Sequence, residues 1–279
     1  MPSPRLLRQP GPVRDRRIDM FRGDPVKLRF PLRAGAALDE ALTAPLIEAG
    51  LQSATLHFEG AGLNPFRYVI PAPASDGRHV AWFSATRAPA GTSIVELACA
   101  TFGWTDGQPA VHCHAVWREP DGSRRGGHIL PRETRVVDPV WVTARGFRSI
   151  RVETEADAET GFSLFLPHGP ETGMGDGIVA RVAPNEDILT AIETIGRTHG
   201  LRDAAVHGTL GSLVGASFTD GRTVSDAATE VLVRAAHLRD GVAAMELLAV
   251  DMRGEVHEGR VQRGQNPVCI TFDLVLEAR

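Results

Sequence analysis

The sequence predicts an α+β protein built as two tandem copies of one domain, each a mainly antiparallel sheet with one principal helix. Three observations carry this reading: two strand-then-helix openings that end on the same Gly-Leu pair, an ordered run of matched positions between the halves, and remaining segments that alternate as strands between Asp-Gly turns. A chain of 279 residues also exceeds one small core and suits two domains of roughly 100–150 residues.

Val26-Lys27-Leu28-Arg29-Phe30 alternates as a strand, and Leu38, Ala41, Leu42, Pro45 and Leu46 then recur at helical spacing. The second half repeats the opening, with a strand over Ile178–Val182 and a helix capped by Asn185 whose apolar face is Ile188, Ala191, Ile192 and Ile195. Both helices stop at a glycine suited to the left-handed C-terminal position, Gly50-Leu51 and Gly200-Leu201. Ala54 and His57 follow Leu51 at the same distances as Ala204 and His207 follow Leu201. An offset of 134 positions then pairs Asp106-Gly107 with Asp240-Gly241, Glu96 with Glu230, and Ala115-Val116 with Ala249-Val250. Small shifts pair Gly122 with Gly254, Gly127 with Gly259, and Pro139-Val140 with Pro267-Val268. Strands are expected at Tyr68–Pro71, His79–Ser84, Ser93–Trp104 and Val111–Arg118. The division expected is a flexible basic tail over 1–21, a first copy over 22–150, a linker over 151–176 and a second copy over 177–279.

The composition is that of a globular protein, 43% hydrophobic and 23% charged. No apolar run is long enough to span a membrane, and the first residues lack the apolar core of a secretory signal, so a cytoplasmic location is expected. Three cysteines, Cys99, Cys113 and Cys269, are too few for a disulfide framework and are expected to be reduced. A net charge of −4 supplies no global attraction to phosphate. The only basic cluster, Arg5, Arg8, Arg14, Arg16 and Arg17, lies in the tail and has no interleaved aromatics.

Chemistry concentrates in the strand Val111-His112-Cys113-His114-Ala115-Val116-Trp117. Alternation puts Cys113, Ala115 and Trp117 on the core face and His112 and His114 on the other, about 7 Å apart at the backbone, which two imidazoles can close onto one ion. A hairpin centred near Asp121 sets His128 opposite His114 and completes a trio on one face. Gly126-Gly127 beside it is expected to leave room for an ion or a substrate. Three neutral imidazoles leave a fourth position open, the arrangement of a catalytic zinc. The second copy carries Glu246, Leu248 and Arg260 at the matching positions. Carrying the register across Asp106-Gly107 sets Cys99 opposite His114 and Thr101 opposite His112, which makes Cys99 a candidate extra ligand. His57 and His207 are expected to be structural, and His79, His168, His199, His237 and His257 to be surface residues. No Ser-His-Asp spacing, phosphate loop or dinucleotide fingerprint is present.

Through His112-Cys113-His114-Ala115-Val116, Asp121-Gly122 and Gly126-Gly127-His128 the chain resembles the PPC (plant and prokaryote conserved) domain family, and the segment from Ile178 onward resembles a divergent member without the histidines. The resemblance implies a compact α+β domain that tends to trimerise. Plant members join it to an AT-hook and bind DNA, but no Arg-Gly-Arg-Pro hook occurs here. More distantly the fold resembles that of acetolactate decarboxylase, a zinc enzyme with a comparable histidine cluster.

The function expected is therefore metal-dependent chemistry, of a lyase or hydrolase, on a small oxo or hydroxy acid or related metabolite. Zinc or another divalent transition metal is held by His112, His114 and His128. Arg124 or Arg125 is the candidate partner of a substrate carboxylate, and Glu96 or Glu246 the candidate for proton transfer. The alternatives are a DNA-binding regulatory protein and an oligomeric binding protein with a structural ion. A homo-oligomer, possible as a trimer, is expected, with the second copy, Arg260 or Glu246 included, walling the first copy's pocket in the same or an adjacent chain.

Overall fold

The structure is a computed structural model that describes residues 5–279. In chain order its main elements are β1 (Ile18–Gly23), β2 (Val26–Pro31), helix α1 (Leu38–Glu48), β3 (Ser53–Phe58), β4 (Ser93–Thr105), β5 (Gln108–Arg118), β6 (Arg124–Ile129) and β7 (Trp141–Phe147). There follow β8 (Arg151–Ala156), β9 (Ser163–His168), β10 (Gly177–Val182), helix α2 (Ile188–Thr198), β11 (Ala204–Val206), β12 (Leu210–Leu213), β13 (Thr229–Arg239), β14 (Val242–Val250), β15 (Val256–Arg260) and β16 (Val268–Ala278). The first sheet runs β2-β7-β3-β4-β5-β6 and the second β10-β16-β11-β13-β14-β15, the same order strand for strand. Two mainly antiparallel sheets with one principal helix each are thus built on one plan.

Local chemistry accounts for the agreement. Asp106 and Gly107, with φ of 52° and 73°, and Asp240 and Gly241, with φ of 50° and 78°, turn the paired hairpins β4–β5 and β13–β14. Both central residues of such a tight turn must take positive φ, which Asp-Gly tolerates. Gly50 and Gly200 end the helices at φ of 71° and 67°. The cap of α2 is Asp187, whose carboxylate accepts from the Thr190 amide, rather than the expected Asn185. Asn185 instead sits at φ of 66° and bonds the backbone of Leu7. The expected strand at His79–Ser84 shrinks to Trp82–Phe83, which pairs with Pro71–Ala72.

Each helix covers the outer face of its sheet. Leu38, Leu42 and Leu46 pack with Leu56, Cys113 and Trp117, and Ile188, Ile192 and Ile195 pack with Val231, Met245 and Leu274. The inner faces meet each other, where Leu97, Cys99 and Val116 of the first sheet are buried with Leu210, Leu232 and Leu248 of the second. A second patch joins Phe147, Ile150 and Val152 to Val179 and Val275. The layers are therefore helix, sheet, sheet, helix, and the histidine-bearing face of β5 is turned toward the second half.

Two connecting segments are more ordered than expected. The presumed linker folds into the β8–β9 hairpin, and β8 touches β4 in parallel at Glu153 and Trp104. The presumed flexible tail lies against the body over residues 5–21, its first four residues lying outside the described ones. Within it β1 extends the second sheet along β10, Arg17 bonds Glu159 through two nitrogens at 2.6 and 3.2 Å, and Gln9 donates to the Cys269 carbonyl. Arg5 and Arg14 are likewise engaged, with the Ser225 carbonyl and with Asp19. Arg5, Arg8 and Arg16 of the five tail arginines are exposed, and Arg14 and Arg17 are partly buried.

The glycine pair beside His128 also has a different cause from the one expected. A Cβ on Gly126 would lie 2.5 Å from Val250 Cγ2, and one on Gly127 would lie 2.5 Å from the Val69 carbonyl oxygen. Gly126 is thus demanded by close packing of the two halves, and Gly127 by the neighbouring strand. Gly126→Val should overpack that contact and lower stability by about 1–3 kcal/mol in denaturant titration. An unchanged midpoint would mean that the halves do not meet there.

Candidate metal centre

His112 and His114 project from β5 and His128 from β6, where the ladder sets His128 directly opposite His114. Their ligand atoms all lie within 4.8 Å of one another. The Nε2 atoms of His112 and His114 are 3.1 Å apart. Two nitrogens bound to one zinc at tetrahedral angles would stand about 3.4 Å apart, so this spacing fits an ion after a small adjustment.

The surroundings prepare the three rings for such a role. His114 Nδ1 lies 3.0 Å from the Val231 carbonyl oxygen of the second half. A carbonyl only accepts, so Nδ1 carries the proton and Nε2 presents its lone pair to the trio. His112 Nδ1 faces Asp273 Oδ2 at 3.8 Å, and that oxygen accepts from Thr101 at 2.8 Å. His128 Nδ1 is buried without any partner, a vacancy in the hydrogen-bond network that a metal would fill. Burial, reinforced by the neighbouring imidazoles, holds His114 well below the usual histidine range. Burial and then His112 bring His128 down to about 3. Both are neutral at physiological pH, the form that ligates.

The second half contributes a residue that the sequence reading missed. Glu230 is buried, its Oε1 stands 3.9 Å from His114 Nε2, and its Oε2 has no partner. Burial drives this carboxyl well above its usual range, against the smaller opposing effect of the His128 backbone amide. Histidines, Glu230 and Asp273 all border a cleft of about 320 Å3. Its other walls come from the loop bearing Trp82 and Phe83 and from the β8–β9 hairpin through Phe162 and Phe165.

None of the expected catalytic residues joins them. Glu96 is held by Arg118 and Arg124 at 2.9 and 2.8 Å, Glu246 is half-exposed beside Arg234, and Arg125 lies opposite Trp117. All three are outside the cleft lining. For Glu96 the reason is a displaced bulge. In β4 the register slips at Glu96, between Val95 and Leu97, whereas in β13 it slips at Arg234, between Val233 and Ala235. Leu97 faces Val116 and Glu230 faces Val250, so Glu230 corresponds to Leu97 and not to Glu96. A one-residue slip exchanges faces, which sends Glu96 outward and Glu230 inward.

The same ladders revise the second copy's equivalents. Glu258 stands opposite Leu248 as His128 stands opposite His114, so the counterpart of His128 is Glu258 rather than Arg260. Glu246 and Glu258 share Arg234, and Glu258 also pairs with Arg124 at 2.9 Å. An ion-pair cluster thus occupies the place of the trio. Of the remaining histidines, His57 and His207 sit beside Glu59 and Glu277 outside the cleft. His79, expected at the surface, packs against Trp82 and Phe162 instead.

About half of this chain is similar to a PPC protein. That structure, from Pyrococcus horikoshii, is 16% identical, and the match covers 55% of this chain and 96% of that one at a TM-score of 0.41. A metal-containing protein from Archaeoglobus fulgidus is 20% identical over 50% of this chain and 93% of its own, at a TM-score of 0.41. A structure described as a putative DNA-binding protein from Ralstonia eutropha JMP134 is 17% identical over 51% and 95%, at 0.39. No family model and no curated protein matches the sequence.

Cys99 pairs opposite His114 as expected, yet it is not among the clustered ligand atoms. Its Sγ points toward the Val233 carbonyl at 3.7 Å within the apolar layer between the sheets, and burial pushes the thiol up to about 12. Cys99→Ala should therefore keep the full metal content in elemental analysis. Loss of metal in that variant would restore Cys99 as a ligand.

Proposed function

We propose that this protein binds one divalent transition metal, zinc in the first instance, through His112, His114 and His128, and acts as a metal-dependent lyase or hydrolase on a small oxo or hydroxy compound. The observation that carries the reading is the clustering of three ring nitrogens beside a buried carboxyl in a cleft of substrate size. When bound, such an ion polarises a carbonyl or activates water at its open position.

The protein's own groups divide the remaining work. The Val231 carbonyl fixes the tautomer and tilt of His114, and Asp273 is the acceptor placed to orient His112. Glu230, protonated in its buried setting, holds a proton within reach of a group bound at the histidines and can return to that state after giving it up.

Metal analysis of protein purified without an affinity tag should return about one ion per chain, and His128→Ala should lose most of it while remaining folded. Unchanged stoichiometry in that variant would refute the assignment. Glu230→Gln should keep the metal but slow turnover of a substrate found by metabolite screening by about a hundredfold or more. Full turnover would remove Glu230 from the chemistry.

A further inference from the structure

The walls of the cleft carry information about its occupant that the histidines do not. Trp82 and Phe83 are 44% and 37% exposed, although both are large aromatics. They are not loose. The pair forms a short ladder with Pro71–Ala72. Trp82 stacks on Phe162 with centroids 5.0 Å apart and planes 30° apart, and it abuts His79 at 4.4 Å. His79 in turn is tied to Asp76 at 2.6 Å and faces the Gly161 carbonyl at 3.3 Å, so the loop is clamped to the β8–β9 hairpin. Phe83 meets His128 edge to face at 5.4 Å. A continuous aromatic surface therefore runs from the histidine trio to the cleft mouth, held in place yet uncovered.

The charge of the cleft is equally selective. Among the described residues its lining contains Glu230 and Asp273 but no lysine or arginine, and it includes Ser212, Thr229 and Thr271, whose hydroxyls bond the Ile270 amide, the Gly215 carbonyl and the Arg181 guanidinium. A carboxylate on a ligand, placed away from the histidines, would find no cation among these lining residues and would meet the side chain of Asp273. Both candidate arginines of the sequence reading, Arg124 and Arg125, lie elsewhere.

We propose that the cleft takes an uncharged molecule with an aromatic ring, the ring lying on Trp82 and Phe83 and an oxygen donor directed at His112, His114 and His128. The aromatic surface supplies ring contacts that a short aliphatic chain cannot match. A lining with Asp273 and without lysine or arginine disfavours an anion but accepts neutral oxygen functions. The placement of the oxygen donor rests on the metal reading above; the ring preference does not.

The test uses the full chain in two states. In metal-free protein, 2-naphthamide should bind by ligand-observed NMR, 2-naphthoate should bind at least about tenfold more weakly, and Trp82→Ala should lose most of the naphthamide affinity while Trp82→Phe recovers part of it. In zinc-loaded protein, calorimetry should give benzohydroxamic acid about a tenfold advantage over acetohydroxamic acid, again lost in Trp82→Ala. Zinc-independent hydroxamate binding alongside Trp82-dependent naphthamide binding would sink the metal reading and leave the ring preference standing. Naphthoate binding as tightly as naphthamide, or affinities indifferent to Trp82, would overturn the proposal.

Discussion

His114 is buried between two sheets, and most of the site's design follows from how that burial is made tolerable. An imidazole sealed from water with an unpaired nitrogen costs about 1–3 kcal/mol. The Val231 carbonyl of the second half satisfies Nδ1, which leaves Nε2 as an acceptor aimed at His112. That single bond joins the two halves at the histidine cluster and decides which nitrogen faces the centre. It also gives a physical reason for a second copy that has lost its own histidines: its β13 provides a carbonyl and a carboxyl to the first copy's trio. The second copy does wall the first copy's site, but through Val231 and Glu230 rather than the expected Arg260 or Glu246, which lie outside the cleft lining.

The same face-to-face packing explains features with no obvious link to chemistry. Gly126 is small because Val250 of the other sheet presses on it. The apolar layer of Leu97, Cys99 and Val116 against Leu210, Leu232 and Leu248 sets the separation of the sheets where no ligand is needed. Beyond that layer both sheets and the β8–β9 hairpin line the cleft. The pseudo-equivalent position in the second copy shows what the scaffold does when freed of ligation. There Glu246 and Glu258 are neutralised by Arg234 and Arg124 near solvent, where such pairs are inexpensive but contribute little.

Periodicity and turn chemistry made much of this legible in the sequence. Alternation in β5 placed His112 and His114 opposite the α1 core, and counting through Asp121-Gly122 set His128 against His114, because hairpin register follows from local chain geometry. The repeat was readable for the same reason, through glycines and Asp-Gly turns that demand positive φ. Contacts between distant segments were not. Glu230 was noted only as the partner of Glu96 at a fixed offset, and the bulge that moves from Glu96 in β4 to Arg234 in β13 leaves no mark on a constant count. Asp273 gave a signal that was available but unused: with Thr271 it forms a polar pair alternating within the otherwise apolar strand Val268–Leu276, the pattern of a face turned toward a polar site. The hairpin at 151–168 was mistaken for a linker because Gly, Glu and Pro mark turns as readily as they mark flexible connections.

The central claim is that three imidazoles, and no thiolate, hold a metal in the space between the two halves. X-ray absorption at the zinc edge, on full-length protein purified without a tag and loaded with one equivalent of zinc, tests it most directly. The account predicts a first shell of nitrogen and oxygen scatterers at about 2.0–2.1 Å with the outer-shell pattern of three histidine rings. A sulfur shell near about 2.3 Å, or a shell showing fewer than two imidazoles, would contradict it.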